Sequence, residues 1–145
     1  MKKVDIFESF IVEKEIEDAF EKAVQDDVHY YKSVFQNQFG NFEYCVIIYP
    51  TPVVEVITKV IDLTGHKAIS KALETINEFN MRSKGIKYYI DKRNNVSVTY
   101  EFVGSDEEFD PDKVLGTALA YFKAMEKDMA ELMIILEKEK SKVTN

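Results

Sequence analysis

Residues 86–102 read Ile86-Lys87-Tyr88-Tyr89-Ile90-Asp91-Lys92-Arg93-Asn94-Asn95-Val96-Ser97-Val98-Thr99-Tyr100-Glu101-Phe102. Ile86, Tyr88 and Ile90 alternate with Lys87 and Tyr89. Val96, Val98, Tyr100 and Phe102 alternate with Ser97, Thr99 and Glu101. In a strand, successive side chains point to opposite faces, so a period of two is a strand signature. Two such runs around the polar stretch Asp91–Asn95 predict a hairpin over residues 86–103, with one buried and one wetter face.

Working outward from the hairpin, Ile69, Ala72, Leu73, Ile76 and Asn80 recur at helical spacing and predict a helix over 66–81, with Gly85 as its stop. On the other side, an acidic connector Ser105–Phe109 leads into Asp110-Pro111-Asp112. Asp110 can cap free N–H groups, Pro111 suits a first helical turn, and Asp112 favours the positive end of the helix dipole. An apolar stripe from Leu115 through Leu136 then predicts a closing helix over 111–138, with a polar tail expected to fray.

The N-terminal half reads as one helix and three strands. Ile16, Ala19, Phe20, Ala23 and Val24 fall at helical spacing, which predicts a helix over 4–25 with a break near Val12–Glu15. Strands are expected at Val28–Gln36, Phe42–Tyr49 and Val53–Leu63. They are parted by the turn Asn37–Asn41 and by Pro50-Thr51-Pro52, where proline cannot donate to a ladder. The expected fold is therefore α+β in the order α-β-β-β-α-β-β-α. It is one domain over 1–145, with three helices on one face of a mainly antiparallel five-stranded sheet.

Composition narrows the class. A chain of 145 residues with 46% hydrophobic content can bury its own core without staples. The single cysteine, Cys45, permits no disulfide within the chain, which suits a reducing compartment. Asp5 and Glu8 interrupt the start that Met1-Lys2-Lys3 opens, and no uncharged run has the length of a signal or membrane span. A cytoplasmic protein with no membrane partner is expected. The net charge of −7 and the lack of a Lys/Arg cluster argue against direct nucleic-acid binding.

No residue set carries a catalytic, cofactor or metal signature. Cys45 lies in an apolar strand with no cation beside it in sequence, so a buried inert thiol is expected rather than a nucleophile. His29 and His66 have no flanking motif. The acids Asp106, Glu107, Glu108, Asp110 and Asp112 lack the alternate spacing, central glycine and terminal glutamate of a calcium loop, and read as an acidic loop with a helix cap. Asn77 and Asn80 read as capping or loop-binding residues.

The strands over 42–63 are the most informative feature. Phe42, Tyr44, Val46 and Ile48 oppose Cys45, Ile47 and Tyr49, which share their face with Glu43, and Val54, Val56 and Val60 oppose Val53, Ile57 and Ile61. Both faces are apolar. Either the first helix covers the second face, or that face meets a partner or a second copy. In the latter case Ile47, Tyr49, Ile57 and Ile61 are the expected partner-binding residues.

The segment from Ala68 to Phe122 resembles the YbjN-like family, which shares its fold with type III secretion chaperones. The resemblance rests on Ile76-Asn77-Glu78-Phe79-Asn80, on Ile86-Lys87-Tyr88-Tyr89-Ile90, on the alternating strand Val96–Phe102, and on Asp110–Val114 opening a long helix. It implies a small acidic protein, often dimeric, that holds or masks another polypeptide without catalytic residues or cofactors. The expected function is a non-enzymatic chaperone-like or adaptor module with a polypeptide partner and a possible homodimer. The alternative is an acidic inhibitor that occupies a basic, nucleic-acid-binding surface of its target.

Overall fold

The computed structural model describes residues 1–65 and 69–144. Four α-helices and six strands follow the order α1 (Lys3–Glu13), β1 (Glu21–Gln25), β2 (Val28–Asn37), β3 (Gly40–Ile48), β4 (Val53–Asp62), α2 (Ile69–Arg82), β5 (Lys87–Ile90), β6 (Asn95–Val103), α3 (Pro111–Ala124) and α4 (Glu126–Thr144). The strands form one antiparallel sheet in the order β1-β2-β3-β4-β6-β5. The α+β class is as expected, but the sheet has six strands and not five.

The extra strand comes from the segment expected to continue the first helix. That helix stops at Glu13 because the chain turns left-handed at Glu15 (φ 59°), and the Ile16 N–H bonds back to the Ile11 carbonyl at 2.9 Å. This is the helix-ending geometry that glycine usually serves. A single 3₁₀ turn at Glu17–Ala19 follows, and Glu21–Gln25 then pairs with β2. Asp26 and Asp27 both take positive φ (51° and 63°), as a two-residue type I′ hairpin requires. The helical spacing of Ala23 and Val24 was thus a coincidence of composition; both are exposed on an edge strand.

The closing helix is interrupted at Met125 alone, and the Met125 and Met129 N–H groups still bond back to Tyr121 and Met125. The second of its two parts runs on to Thr144, past the tail expected to fray. At its start the Asp110 side chain accepts from the Lys113 N–H at 3.3 Å, with Pro111 in the first turn.

All four helices lie on one side of the sheet. Register places Tyr31, Val46, Val56 and Tyr100 side by side across four strands, and this face carries the core. Phe7 of α1 packs on Tyr31 with ring centroids 4.6 Å apart, Phe79 of α2 on Tyr88 at 5.2 Å, and Phe122 of α3 on Phe35 at 5.7 Å. Met129, Leu132 and Leu136 bring α4 into the same cluster. As the alternation predicts, Val96, Val98, Tyr100 and Phe102 face the helices. The first helix therefore does not cover the opposite face.

Polar clamps fix the helices from their margins. Lys3, almost wholly buried, reaches Asp106 at 2.9 Å and ties the first turn of α1 to the loop before α3. Glu8 accepts from the Tyr31 hydroxyl at 2.9 Å and from Lys22 at 2.8 Å. Arg82, stacked 4.8 Å over Phe79, bridges α2 to Asp128 and Glu131 of α4, and Asp128 also accepts from the Tyr88 hydroxyl at 2.7 Å. Gly85 is not a left-handed helix stop. A Cβ there would fall 2.2 Å from the Tyr121 ring, so the position serves a close approach.

Candidate interaction surface

The face away from the helices is built by the opposite parity of the same strands. One row across it reads Ala23, Tyr30, Ile47, Glu55, Glu101. The next reads Glu21, Lys32, Cys45, Ile57, Thr99, Lys87. No described helix covers this face.

Its apolar residues are partly shielded by their neighbours. Ile47 is 8% exposed, and Ser97 and Thr99 are buried although no described helix lies over them. Thr99 donates to Glu55 Oε2 at 2.8 Å, the Tyr49 hydroxyl donates to Glu55 Oε1 at 3.1 Å, and Ser97 bonds Asp91. Burial, reinforced by Glu55, pushes the Tyr49 phenol up to about 12. The Tyr89 phenol is also raised, first by burial and then by Glu55, Asp91 and Glu101. Both phenols stay protonated at neutral pH and keep their hydroxyls as donors.

Three of the four expected partner-binding residues sit here: Ile47 on the floor, Ile57 half-buried in the centre, and Tyr49 at the end of β3 beside Glu55. Ile61 does not. The register of β4 against β6 slips between Lys59 and Ile61, where a β-bulge inserts one residue. Beyond it Ile61 stands opposite Val96 and packs against the helix-side core. An extra residue in a period of two sends every later side chain to the other face. The face is also less uniformly apolar than the alternation suggested, since Glu55, Lys32 and Lys59 share it with the expected Glu43. Sequence reading missed Tyr30, Glu55, Tyr89 and Glu101. Their parity along each strand was readable, but only the strand order brings them together.

Where β3 and β4 part, a cavity of about 370 Å³ opens between Lys32, Glu43, Cys45, Ile57 and Lys59. The ladder ends at Tyr44–Thr58, and the Thr58 hydroxyl bonds the Glu43 carbonyl at 2.7 Å beyond it. Cys45 lies at this cavity, with its thiol pushed up by burial against the smaller opposing pull of Lys32.

The other residues singled out in the sequence have structural surroundings. His29 stands on the helix side opposite Ile48, by a separate cavity of about 650 Å³ lined by Lys3, Asp27 and Asp106. Asn80 forms two bonds with the Tyr88 backbone, at 2.7 and 2.9 Å. Asp106 holds Lys3, Glu108 and Ser105 exchange bonds, and Asp110 caps α3. His66 lies outside the described residues. Among the described residues no group of three His, Cys, Asp or Glu side chains could hold a metal ion, and no helix is long and apolar enough to cross a membrane.

Comparison with protein-family models and with curated proteins finds no match to this chain.

Proposed function

We propose that this protein is a non-catalytic protein-binding module, chaperone-like or adaptor in kind, that takes a polypeptide on its helix-free sheet face. The reading places it in the cytoplasm, free of nucleic-acid and cofactor partners. The observation that carries it is the one-sidedness of the fold. The four described helices crowd one face while Tyr30, Ile47, Tyr49 and Ile57 stand on the other with no described element over them. Tyr30, Tyr49 and Ile57 are half-buried and Ile47 is buried, so the face offers a partly shielded apolar strip flanked by polar residues, and an uncovered apolar strip of this kind supports a binding role. The size also fits. At about 4.8 Å between strands and about 3.3 Å per residue, the sheet presents roughly 700 Å², against about 800 Å² per partner in a standard interface. The resemblance to YbjN-like proteins supports the same assignment. Without β1, and with the two closing helices taken as one, the chain follows the α-β-β-β-α-β-β-α order.

A photo-crosslinking residue at Ile57 tests this in cells, with the same residue at Leu73, exposed on α2, as control. Adducts with another polypeptide or with a second copy are expected from position 57 and few from position 73. Ile57→Asp should abolish association while near-ultraviolet circular dichroism stays native. Equal crosslinking from both positions, or association that survives a folded Ile57→Asp variant, overturns the assignment. Persistence of the complex in high salt separates apolar capture from charge-driven inhibition of a basic surface.

A further inference from the structure

The two edges of the sheet are finished differently. At β5 the Asn80 side chain takes both backbone groups of Tyr88, at 2.7 and 2.9 Å. At the other edge β1 lies beside residues 28–32 of β2 only, because β1 begins at Glu21 while β2 runs on to Asn37. Residues 33–37 therefore pair with β3 on one side and with no described strand on the other. Asn37 and Gly40 flank the two-residue loop of the β2–β3 hairpin, and bonding to β3 falls on alternate residues from there. Ser33, Phe35 and Asn37 turn inward to β3. Val34 and Gln36 turn their N–H and C=O groups outward, where no described group answers them. A cavity of about 270 Å³ lies in this notch, lined by Phe20 and Val34 and by Asp18, Glu21, Lys32 and Glu43. The Val34 side chain beside it is 57% exposed. Open edges are usually blunted by lysine, proline, a bulge or a covering segment. Residues 33–37 contain neither lysine nor proline and keep an unbroken register with β3.

We propose that this notch takes an extended, basic polypeptide segment, which pairs with Val34 and Gln36 of β2 and continues the line of β1. Main-chain bonds supply the hold, and the side chains that line the notch choose the sequence. The lining sets three carboxylates against one lysine. Around it, residues 13–27 carry seven acids, all exposed, against two lysines, so −5 of the chain's net −7 is gathered in the segment that leads into and forms β1. A second copy docked here would bring that charge against itself, whereas a segment rich in Lys or Arg is drawn to it. The notch lies two strands from Ile57 and goes beyond the capture proposed for the helix-free face.

The test is a ¹⁵N-resolved NMR titration of the full chain with the probe peptide acetyl-Arg-Val-Lys-Val-Arg-Val-amide. Two counterparts accompany it. One is N-methylated at every peptide nitrogen, which keeps the charges and removes the main-chain donors. The other carries Glu in place of each Arg and Lys. The basic peptide should bind saturably, move the amides of residues 33–37, and slow hydrogen exchange at Val34 and Gln36. Each counterpart should bind about tenfold more weakly or worse. Val34→Pro removes an outward N–H and no ladder bond. It should lose about tenfold in affinity as well, with a native near-ultraviolet circular dichroism spectrum. Should that variant fail to fold, the N-methylated peptide decides the question alone. Equal binding of the N-methylated peptide, or undiminished binding to a folded Val34→Pro variant, overturns the strand pairing. Equal binding of the Glu peptide overturns the basic partner. Shifts centred on Ile57 or on loop 105–112, or no saturable binding at all, overturn the site. Failure of the Ile57 crosslinking leaves this edge untouched, and failure at Val34 leaves the capture on the helix-free face standing.

Discussion

At Glu15 an L-residue holds a left-handed conformation (φ 59°) on an exposed turn. That conformation costs a non-glycine residue about 1–2 kcal/mol, while glycine's extra chain entropy costs about 0.5–1 kcal/mol. Glu15→Gly should therefore stabilise the fold by about 0.5 kcal/mol, read as a higher urea midpoint at unchanged slope. The tyrosines supply a second residue-level test. Of the eight in the chain, Tyr31, Tyr44, Tyr49, Tyr88 and Tyr89 have raised phenol pKa values, with burial the first cause in each. A pKa raised by folding contributes stability that is whole below the unfolded value near 10 and is lost as pH climbs toward the folded one. Absorbance at 295 nm should show at least these five phenols ionising only above pH 10, and unfolding in urea should bring them back to it. Five ordinary titrations in the folded protein would contradict the burial of Tyr31 and Tyr88. Cys45 belongs to the same scale: burial raises its thiol although Lys32 stands directly across from it on β2, a cation that its neighbours in sequence did not reveal.

Among the elements, the hairpin over 86–103 was legible because two parities alternate there without interruption. The strand β1 was not, because five residues with no strong pattern were outvoted by helical spacing on either side. Its available signal was Asp26-Asp27, a pair that tolerates positive φ, set before the aromatic run of β2. The bulge that turns Ile61 inward had no signal at all: Lys59-Val60-Ile61 contains neither glycine nor proline. Ile47, Tyr49 and Ile57 lie on the helix-free face as parity alone predicts, whereas the Glu55–Glu101 pairing depends on β4 lying beside β6. Sheet order is a non-local property that neither segment encodes separately. At the outer edge of β5, the Asn80 side chain satisfies both backbone groups of Tyr88, as a neighbouring strand would. Asn80→Ala should cost about 1–2 kcal/mol and leave an open strand edge. Hydrogen exchange at Tyr88 should accelerate far more than at Val46. Unchanged protection at Tyr88 would show that the edge is held by the hairpin alone.

For the whole molecule, the decisive feature is that one core joins both ends of the chain. Phe7 near the N-terminus and Leu132 in α4 belong to the same buried cluster, and the Lys3–Asp106 pair closes the molecule across 103 positions of sequence. Phe7 is 1% exposed and touches the rings of Phe10, Phe20 and Tyr31. Its replacement by alanine should cost about 3–5 kcal/mol, and Leu132→Ala about 2–5 kcal/mol. Both should move a single transition seen alike by far- and near-ultraviolet circular dichroism. The ion pair adds a pH signature to that cooperativity. The hydrogen bond from Lys3 holds the Asp106 carboxyl below its ordinary value. A carboxyl depressed by folding contributes stability above its unfolded pKa, near 3.9, and loses it as pH falls through the lower folded value. Lys3→Met removes the partner and keeps the buried stem. The variant should therefore melt below the parent at pH 7, and the two curves should draw together as pH falls below about 4. If α1 instead frays on its own, far-ultraviolet signal will drop in the variant before the common transition, while the near-ultraviolet signal of the core tyrosines stays put. A constant gap between variant and parent down to pH 2.5 would mean that Lys3 acts through the packing of its methylenes rather than through its charge.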